Sequence, residues 1–371
     1  MKTIDPEALE RALALRDLTD PAQGPHAIQT VLDSAVLALS RAWSCPAHIV
    51  RVHPVVSLTE NYDALHYPAD GAARDARYTR YVSPTHVLRT QTSAVIPPTL
   101  RALAASPPSE VLVVAPGLVW RRDIIDRLHV GEPHQVDLWR IRIRGSTLGV
   151  PDLEAMIASV AEAVAPGLAV RPTPADHPYT LEGRQIDVKA GRAWVEIGEC
   201  GLALPALLAE AGLPEGSSGL AMGLGLDRLV MIRKGLDDIR LLRASDPRIS
   251  SQMLDLAPWR PVSNRPPVRR DLSIAVPVET VAEELGDRVR EVLGPRAGDV
   301  EAVEVLSETH GEALSDVARG RLGMLDGQKN VLLRVVLRAH GRNLTDAEAN
   351  ALRDAIYAAL HQGTVWAWAS G

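Results

Sequence analysis

The alternation of apolar and polar positions divides the chain into two regions that read differently. In the first, helical spacing comes early. Pro6–Leu18 reads as a short helix with proline in its first turn, ended by the breaker Asp20-Pro21. Ile28, Val31, Leu32, Ala35, Val36, Leu39 and Trp43 then recur at three- and four-residue steps, which predicts a helix over 26–43. Cys45-Pro46 stops it. Ile49–Val56 reads as a strand that Pro54 interrupts, which a central strand would not accept. A polar stretch, Asn61–Ala76, precedes Tyr81–Val95, where Thr85, His86, Arg89, Gln91 and Ser93 crowd together, and a helix over Pro97–Ala105. The apolar run Val111–Ala115, a glycine-containing turn and the alternating segment His134–Ile143 predict two strands joined by a charged hairpin within Gly117–Trp139.

Further on, Asp152–Val164 is an amphipathic helix behind Pro151. Leu168–Arg171, Arg184–Lys189 and Ala193–Ile197 are short strands, and Gly201–Gly212 reads as a helix ended by glycine. Residues 216–240 are a glycine-rich apolar strand running into a helix with Arg228 in its first turns. Gly223 and Gly225 alternate onto one side of that strand, leaving the backbone open to something flat. The segment matches neither a dinucleotide fingerprint nor a P-loop, having no GxGxxG and no GK[ST].

Asp246–Arg265, rich in Pro, Ser and Trp, reads as a linker. Beyond it the pattern is strand Asp271–Val276, helix Val281–Val292, strand Val300–Val305, a long loop, strand Asn330–Ala339, helix Thr345–Leu360 and a terminal strand Thr364–Trp368. That βαββαβ order is the split-βαβ, ferredoxin-like arrangement, and Thr345 with Glu348 makes a capping box. The expected architecture is α+β, with a helical extension over 1–22, a main domain over 23–258, a linker over 259–265 and a second domain over 266–371.

Composition narrows the function classes. Hydrophobic residues make up 46% of 371, enough for two cores. No apolar run approaches the roughly 20 residues of a membrane span, and the N-terminus lacks a signal peptide's apolar region. Two cysteines, Cys45 and Cys200, without a CxxC, argue against a disulfide framework or a zinc knuckle. The chain is therefore expected to be cytoplasmic and not to engage a membrane. Its net charge is −6, and residues 266–371 carry twelve Lys/Arg against sixteen Asp/Glu, an awkward balance for binding a phosphate backbone. Arg260, Arg265, Arg269 and Arg270 cluster at the domain junction as a local basic patch or as a solvated junction.

The hairpin offers Arg121, Arg122, Asp123, Asp126 and His129 either to an anionic ligand on the sheet or, more plainly, to solvent as charges that blunt a sheet edge. Together with the polar strand before it and with Arg228 beside the glycine strand, it has the parts of ATP-dependent carboxylate activation. One cation neutralises the α-phosphate under attack and another holds the departing pyrophosphate.

These segments resemble the phenylalanyl-tRNA synthetase branch of the class II aminoacyl-tRNA synthetases, most of all its single-chain mitochondrial form. Helix 26–43 with Pro54 takes the place of the family's motif 1. Asn61-Tyr62-Asp63-Ala64-Leu65 is similar to its NFDxL segment, and Ser83-Pro84-Thr85-His86-Val87-Leu88-Arg89-Thr90 to its xPTHxLRTHTS segment. Trp120-Arg121-Arg122-Asp123, Asp126, His129 and His134-Gln135-Val136-Asp137 match motif 2, and Gly223-Leu224-Gly225-Leu226-Asp227-Arg228-Leu229 with Asp238-Ile239-Arg240 matches motif 3. Pro266-Pro267-Val268-Arg269-Arg270-Asp271-Leu272 opens what looks like the family's ferredoxin-fold anticodon-binding domain.

The resemblance implies an antiparallel catalytic sheet flanked by helices, with ATP and Mg²⁺ as cofactors. It implies that Arg121 contacts the α-phosphate, Asp123 the adenine end and His129 the phosphates, while Arg228 clamps the γ-phosphate and Gly223 and Gly225 line the nucleotide. Glu196 and Glu199 are the implied Mg²⁺ ligands. Ser93, Gln91, Gln135, Asp137, His177, Tyr179 and Ala221 are the implied amino-acid pocket. That pocket departs from the family pattern. The usual Phe-Pro-Phe, whose rings pack on a substrate phenyl group, is His177-Pro178-Tyr179; THTS reads Thr90-Gln91-Thr92-Ser93; Asp137 stands for glutamate; and Arg77 stands where the bacterial form has tryptophan. An unpaired Arg77 in an apolar pocket is expensive, so it either points away or meets a polar substrate.

The implied function is adenylation of phenylalanine or a related amino acid and its transfer to tRNA. A paralogue that delivers the amino acid to another acceptor is the alternative, and a non-catalytic RNA-binding homologue is a third reading. The oligomeric state, monomer or homodimer, stays open.

Overall fold

The two strands read around Gly117 pair with each other as the second and third of a seven-stranded sheet, and Gly117 itself lies within the first of them, opposite Gln135. The structure, a computed structural model, describes residues 3–262 and 266–366. The chain divides into two compact units. One comprises Met1–Arg121, Glu132–Leu236 and Ser251–Trp259; the other comprises Arg122–Gly131, Asp237–Ser250 and Arg260–Gly371. The split runs differently from the domain limits read along the chain, because residues 122–131 and 237–250 group with the C-terminal part.

The first unit holds β1 (Ala47–Ile49), β2 (Val55–Ser57), β3 (Tyr81–Ser83), β4 (His86–Leu88), β5 (Glu110–Leu118), β6 (His134–Arg142), β7 (Val170–Pro174), β8 (Thr180–Ala190), β9 (Ala193–Ala203) and β10 (Ser218–Gly225). Seven of these form one sheet, ordered β1-β5-β6-β10-β9-β8-β7, and β2-β4-β3 form a small antiparallel sheet. All pairings in the large sheet are antiparallel except β1 with β5. The apolar stripe over 26–43 becomes the helix Ala27–Trp43, burying Ile28, Val31, Leu32, Ala35 and Leu39. It packs against the helices Val150–Val164 and Leu226–Lys234. A separate core joins Val111, Val113, Ala115, Trp139, Ile141 and Ala221 of the sheet to Leu65, Val95, Ile96, Leu100, Leu207 and Leu208.

Three expected elements come out differently. Pro54 does break the strand read over Ile49–Val56, leaving β1 and β2 in different sheets. The helix expected over Gly201–Gly212 spans only Pro205–Glu210, because Gly201 and Leu202 pair with Ala221 and Leu220 in the sheet. Gly201 is needed there, since a Cβ would lie 2.7 Å from Thr180 Cβ. The first helix ends at Leu13 rather than Leu18. The early linker residues are also built in: the buried Lys234 ammonium donates to the carbonyls of Asp255 and Ala257. Linker residues 263–265 lie outside the described residues.

The second unit holds β11 (Val268–Pro277), β12 (Val300–His310) and β13 (Gln328–Leu337) in the order β11-β13-β12, with the helices Ala282–Leu293 and Asp346–Leu360. Leu272, Ile274, Val276, Val331, Leu333 and Val335 face Leu285, Val289, Leu352 and Ile356 in its core. The capping box at Thr345 and Glu348 forms. The long loop expected after Val305 instead continues β12 to His310 and contains a helix, Asp316–Leu322. β13 lies between two mutually parallel strands, as a split βαβ requires.

The terminal strand expected over Thr364–Trp368 is absent from its described part. His361 and Gln362 take the outward groups of Ala275 on β11, through Ala275 N–H to His361 Nδ1 (3.1 Å) and Gln362 N–H to the Ala275 carbonyl (2.8 Å). The chain then turns aside, with Thr364 N–H donating to the Gly323 carbonyl. Residues 367–371, including the rest of that expected strand, lie outside the described residues.

Residues 122–131 are part of the second unit's packing. Ile125 is buried in its core, its carbonyl accepts from Val303 N–H, and the Arg290 guanidinium donates to the carbonyls of Asp123 and Ile124. Arg122 pairs with Asp287 at 3.3 Å. Of the junction arginines, Arg270 donates to Asn350 and Asp346, and Arg265 lies outside the described residues.

Candidate active site

Residues directly opposite in register share a sheet face. One row across the large sheet reads Gln185, Glu199, Gly223, Asp137, Ala115. The rows on either side place Gly225 with Gln135 and Gly117, and Ala221 with Trp139. The alternation of Gly223 and Gly225 thus puts both glycines on the face that carries Gln135 and Asp137. A Cβ at Gly223 would come no nearer than 4.0 Å to Asp137 Oδ2, and one at Gly225 3.9 Å to the Ile197 carbonyl. The backbone there is an uncovered floor.

Glu196 and Glu199 are three residues apart and would normally face opposite ways. The pairing of β8 with β9 slips at Ile197: Ile186 opposes Gly198, while Asp187 opposes Glu196. This bulge turns Glu196 onto the face of Glu199. Sequence spacing alone misses it.

Above the sheet, the short 3-10 turn Thr92–Val95 delivers two hydroxyls to the Asp137 carboxylate, Thr92 Oγ1 at 2.6 Å and Ser93 Oγ at 2.9 Å, and Trp139 Nε1–H adds a third donor at 3.0 Å. Burial pushes Asp137 above the usual carboxylate range while these donors pull the other way. Thr92 and Trp139 were not among the residues singled out by sequence, because nothing in their spacing distinguishes them from core. Gln91 is fixed between Tyr67, whose hydroxyl donates to it at 3.0 Å, and the Asn61 carbonyl. Asn61, fully buried, exchanges two hydrogen bonds with Thr90.

Arg121, at the end of β5, donates through Nε to the Thr90 carbonyl at 2.9 Å. No ion pair among the described residues takes its charge; its field reaches Asp137, Glu196, Glu199 and Tyr67. Arg228, in the first turn after Gly225, donates Nη1–H to the Glu196 carbonyl at 2.9 Å. The helix that carries it is tied down by Asp227, whose carboxylate accepts from both the backbone N–H and the Nδ1 of His134, while His134 Nε2 accepts from Leu18 N–H. Gly117 admits the close approach of Arg89: a Cβ would sit 2.1 Å from its guanidinium, and φ is 152°. Burial lowers Arg89 to about 10.

His177 Nε2 meets Glu199 Oε2 at 2.8 Å, and Tyr179 stacks on Trp139 with centroids 6.0 Å apart and packs beside Tyr67. Arg77 pairs with its neighbour Asp75, Nη2 to Oδ2 at 2.6 Å, which removes the cost of a lone cation. Asp123 and His129 belong to the second unit, His129 Nδ1 lying 2.9 Å from Asp126 and the Asp123 carboxylate accepting from Ile124 N–H.

The His177–Glu199 pair predicts a pH dependence. The hydrogen bond to Glu199 raises His177 above 6.5, and the same bond holds Glu199 below 4.5. The histidine contribution is full below 6.5 and is lost as pH rises through the raised value. The glutamate contribution is full above 4.5 and is lost as pH falls through the lowered one. Thermal unfolding of wild type and Glu199→Gln should therefore differ most between about pH 4.5 and 6.5. Equal differences at pH 5.5 and pH 9 would disprove the pairing.

No group of three or more metal-ligating side chains occurs among the described residues. Mg²⁺ bound with a nucleotide needs only one or two carboxylates, the phosphates and water supplying the rest. Glu196 fits that part; Glu199 is engaged by His177.

The family model for the tRNA synthetases class II core domain (F) matches residues 46–253. The phenylalanine--tRNA ligase alpha subunit of Prochlorococcus marinus (strain NATL2A) is 38% identical over 193 residues, covering 52% of this chain and 56% of that protein. The alpha subunit of Limosilactobacillus reuteri (strain DSM 20016) is 32% identical over 252 residues, covering 63% of this chain and 70% of that protein. Among solved structures, a pyrrolysyl tRNA synthetase, Desulfitobacterium hafniense PylSc, aligns with a TM-score of 0.44 at 15% identity, over 64% of this chain and 77% of that one. The chain spans a little over half the length of the cyanobacterial relatives it matches. No helix among the described residues is long and apolar enough to cross a membrane. The family match takes in more than half of the chain, including β1, the glycine floor and both arginines beside it, and the protein belongs to the class II tRNA synthetase core family.

Proposed function

We propose that the protein activates an amino acid with ATP and passes it to the 3′ end of a tRNA. In the first step a carboxylate oxygen of the amino acid attacks the α-phosphorus, the bond to the bridging oxygen of pyrophosphate breaks, and an aminoacyl adenylate forms. In the second, a terminal ribose hydroxyl attacks the acyl carbon and AMP leaves. The observation that carries this reading is one uncovered backbone floor, Gly223 and Gly225, flanked by the guanidinium of Arg121, which no ion pair among the described residues takes, and by that of Arg228, 3.9 Å from the Glu196 carboxylate.

Nucleotide rings lie flat on such a floor. Arg121, held by Thr90, sets a fixed positive charge where the α-phosphate gains negative charge, and Arg228 does the same for the leaving pyrophosphate. Glu196 would hold Mg²⁺, which neutralises phosphate charge. Asp137 and Gln135 take the α-ammonium, with Ser93 and Thr92 orienting the Asp137 carboxylate. Asp123 and His129 reach the nucleotide only if the segment they occupy does; their contacts with the second unit give that role no support.

Phenylalanine is the default substrate by likeness to the alpha subunits, and total tRNA the default acceptor. Delivery to another acceptor is favoured by one observation, the excess of acidic over basic residues in 266–371. Amino-acid-dependent exchange of pyrophosphate into ATP tests the first step. Its absence with every common amino acid rejects the proposal; exchange without charging of total tRNA selects the other acceptor.

Replacing Gly225 by alanine isolates the floor. The new methyl meets only ordinary van der Waals distances, so the melting temperature should stay within about 2 °C. ATP affinity should fall about tenfold or more by equilibrium binding, because the methyl stands where a ring would lie. Unchanged ATP affinity would place the nucleotide elsewhere.

A further inference from the structure

We infer that Glu199 selects the amino acid, and that the pocket takes a short side chain ending in a neutral hydrogen-bond donor, a hydroxyl or an amide, rather than an unsubstituted aromatic ring. The inference rests on the adenylation reading above and replaces its default amino acid, phenylalanine.

Glu199 was expected to be a metal ligand, but its surroundings are those of a pocket wall. It stands in the same row as Asp137, with the bare Gly223 between them. The two carboxylates flank the floor from adjacent strands, about 10 Å apart at the backbone for two strand spacings. Asp137 already accepts from Thr92, Ser93 and Trp139, and an α-ammonium completes its shell. On the other side, one oxygen of Glu199 accepts from His177 and the other has no partner among the described residues.

His177 is wedged rather than adaptable. Its side chain is 10% exposed, its ring packs 6.0 Å from that of Tyr179, its Nδ1 lies 3.4 Å from Thr180 Oγ1, and Gly183 leaves no room on the Nδ1 side, a Cβ there being 3.1 Å away. The imidazolium therefore holds Glu199 in place and balances its charge. What the couple lacks is one donor, not a second cation. The wall continues in the same character, with the Tyr67 hydroxyl donating to Gln91 and the Tyr179 hydroxyl beside Ser93.

A substrate bridging the two carboxylates makes a hydrogen bond of about 2.9 Å at each end, its α-ammonium to Asp137 and a side-chain donor to Glu199. A serine, threonine, asparagine or glutamine side chain supplies such a donor without a second charge. A phenyl ring in the same place strips water from the Glu199 oxygen and offers nothing in return. The stacked Tyr179 and Trp139 rings already fill apolar volume beside it. Sites built around such an acceptor reject an analogue without the donor far more strongly than an apolar pocket rejects an extra hydroxyl.

Pyrophosphate exchange on the full chain, screened over the twenty common amino acids, tests this directly. The expected result is a best substrate among the hydroxyl and amide side chains, with kcat/KM for phenylalanine lower by about 100-fold or more. Glu199→Ala should narrow that ratio at least tenfold, mainly by raising KM for the preferred amino acid. Glu199→Gln, which keeps the shape, should shift the ratio in the same direction. Preference of the wild type for phenylalanine or another apolar amino acid, or a ratio that neither variant alters, overturns the inference while leaving the adenylation reading standing. Absence of exchange with all twenty overturns that reading and this inference with it.

Discussion

Arg121→Ala is expected to lower amino-acid-dependent pyrophosphate exchange on the order of 10²–10³-fold, with little change in thermal stability. Both halves follow from the same geometry. The side chain is exposed and is anchored by Nε–H to the carbonyl of half-buried Thr90, so its removal leaves no fully buried group without a bond. Its charge is committed to no carboxylate among the described residues, which makes it available to a phosphate. A fixed cation at the developing charge acts only in the transition state and so appears in kcat. Arg121→Lys should lie between wild type and alanine, because lysine keeps the charge and loses the planar fork that lets Nε bind Thr90 while the terminal nitrogens point outward. If Arg121→Ala exchanges as fast as wild type, the α-phosphate does not sit at the end of β5.

The largest loss of stability is expected for Asp227→Ala, about 3–5 kcal/mol, read as a fall in the first unit's unfolding midpoint on the order of 10 °C. Asp227 is 4% exposed and His134 0%. One carboxylate oxygen accepts from the His134 backbone N–H and the other from Nδ1. Leu18 N–H donates to His134 Nε2, so the ring proton resides on Nδ1, where it faces the Asp227 carboxylate. Alanine takes the carboxylate away from these two buried donors, and an unmet buried donor costs about 1–3 kcal/mol. Asp227→Asn should cost less, since its amide oxygen still serves one of them. Chemical denaturation followed by tryptophan fluorescence checks both; a loss below 1 kcal/mol for alanine would mean that the ring finds another partner. The variant should also impair exchange, because Arg228 follows Asp227 directly on the helix that this bond anchors to β6.

Much of the fold was legible because its signals are local. Helical spacing from Ile28 to Trp43, the strand–helix switch at Gly225 and Leu226, and the capping box at Thr345 each depend on neighbours in the chain, and each formed as read. Misreadings came where a distant partner decided. Gly201 looks like the start of a helix, yet pairing with Ala221 draws it into β9. Thr364–Trp368 reads as a terminal strand, yet in its described part Thr364 gives its N–H to the Gly323 carbonyl instead of to a sheet neighbour.

The site divides along the same line. Trp120–Asp123, Asn61–Leu65 and Gly223–Arg228 were enough to indicate a synthetase core through their resemblance to the family's motifs. Which of those residues meet was settled only in three dimensions. Register places Glu199, Gly223 and Asp137 in one row, and a single bulged residue, Ile197, turns Glu196 to the same face. Ile125 buries itself with Leu272 and Val289, and its neighbour Asp123 is held in the second unit with it. The physical reason is common to all of these. Side-chain chemistry is written residue by residue, but which face a strand residue takes, and which core an apolar residue enters, depends on partners far along the chain whose pairing no local pattern records.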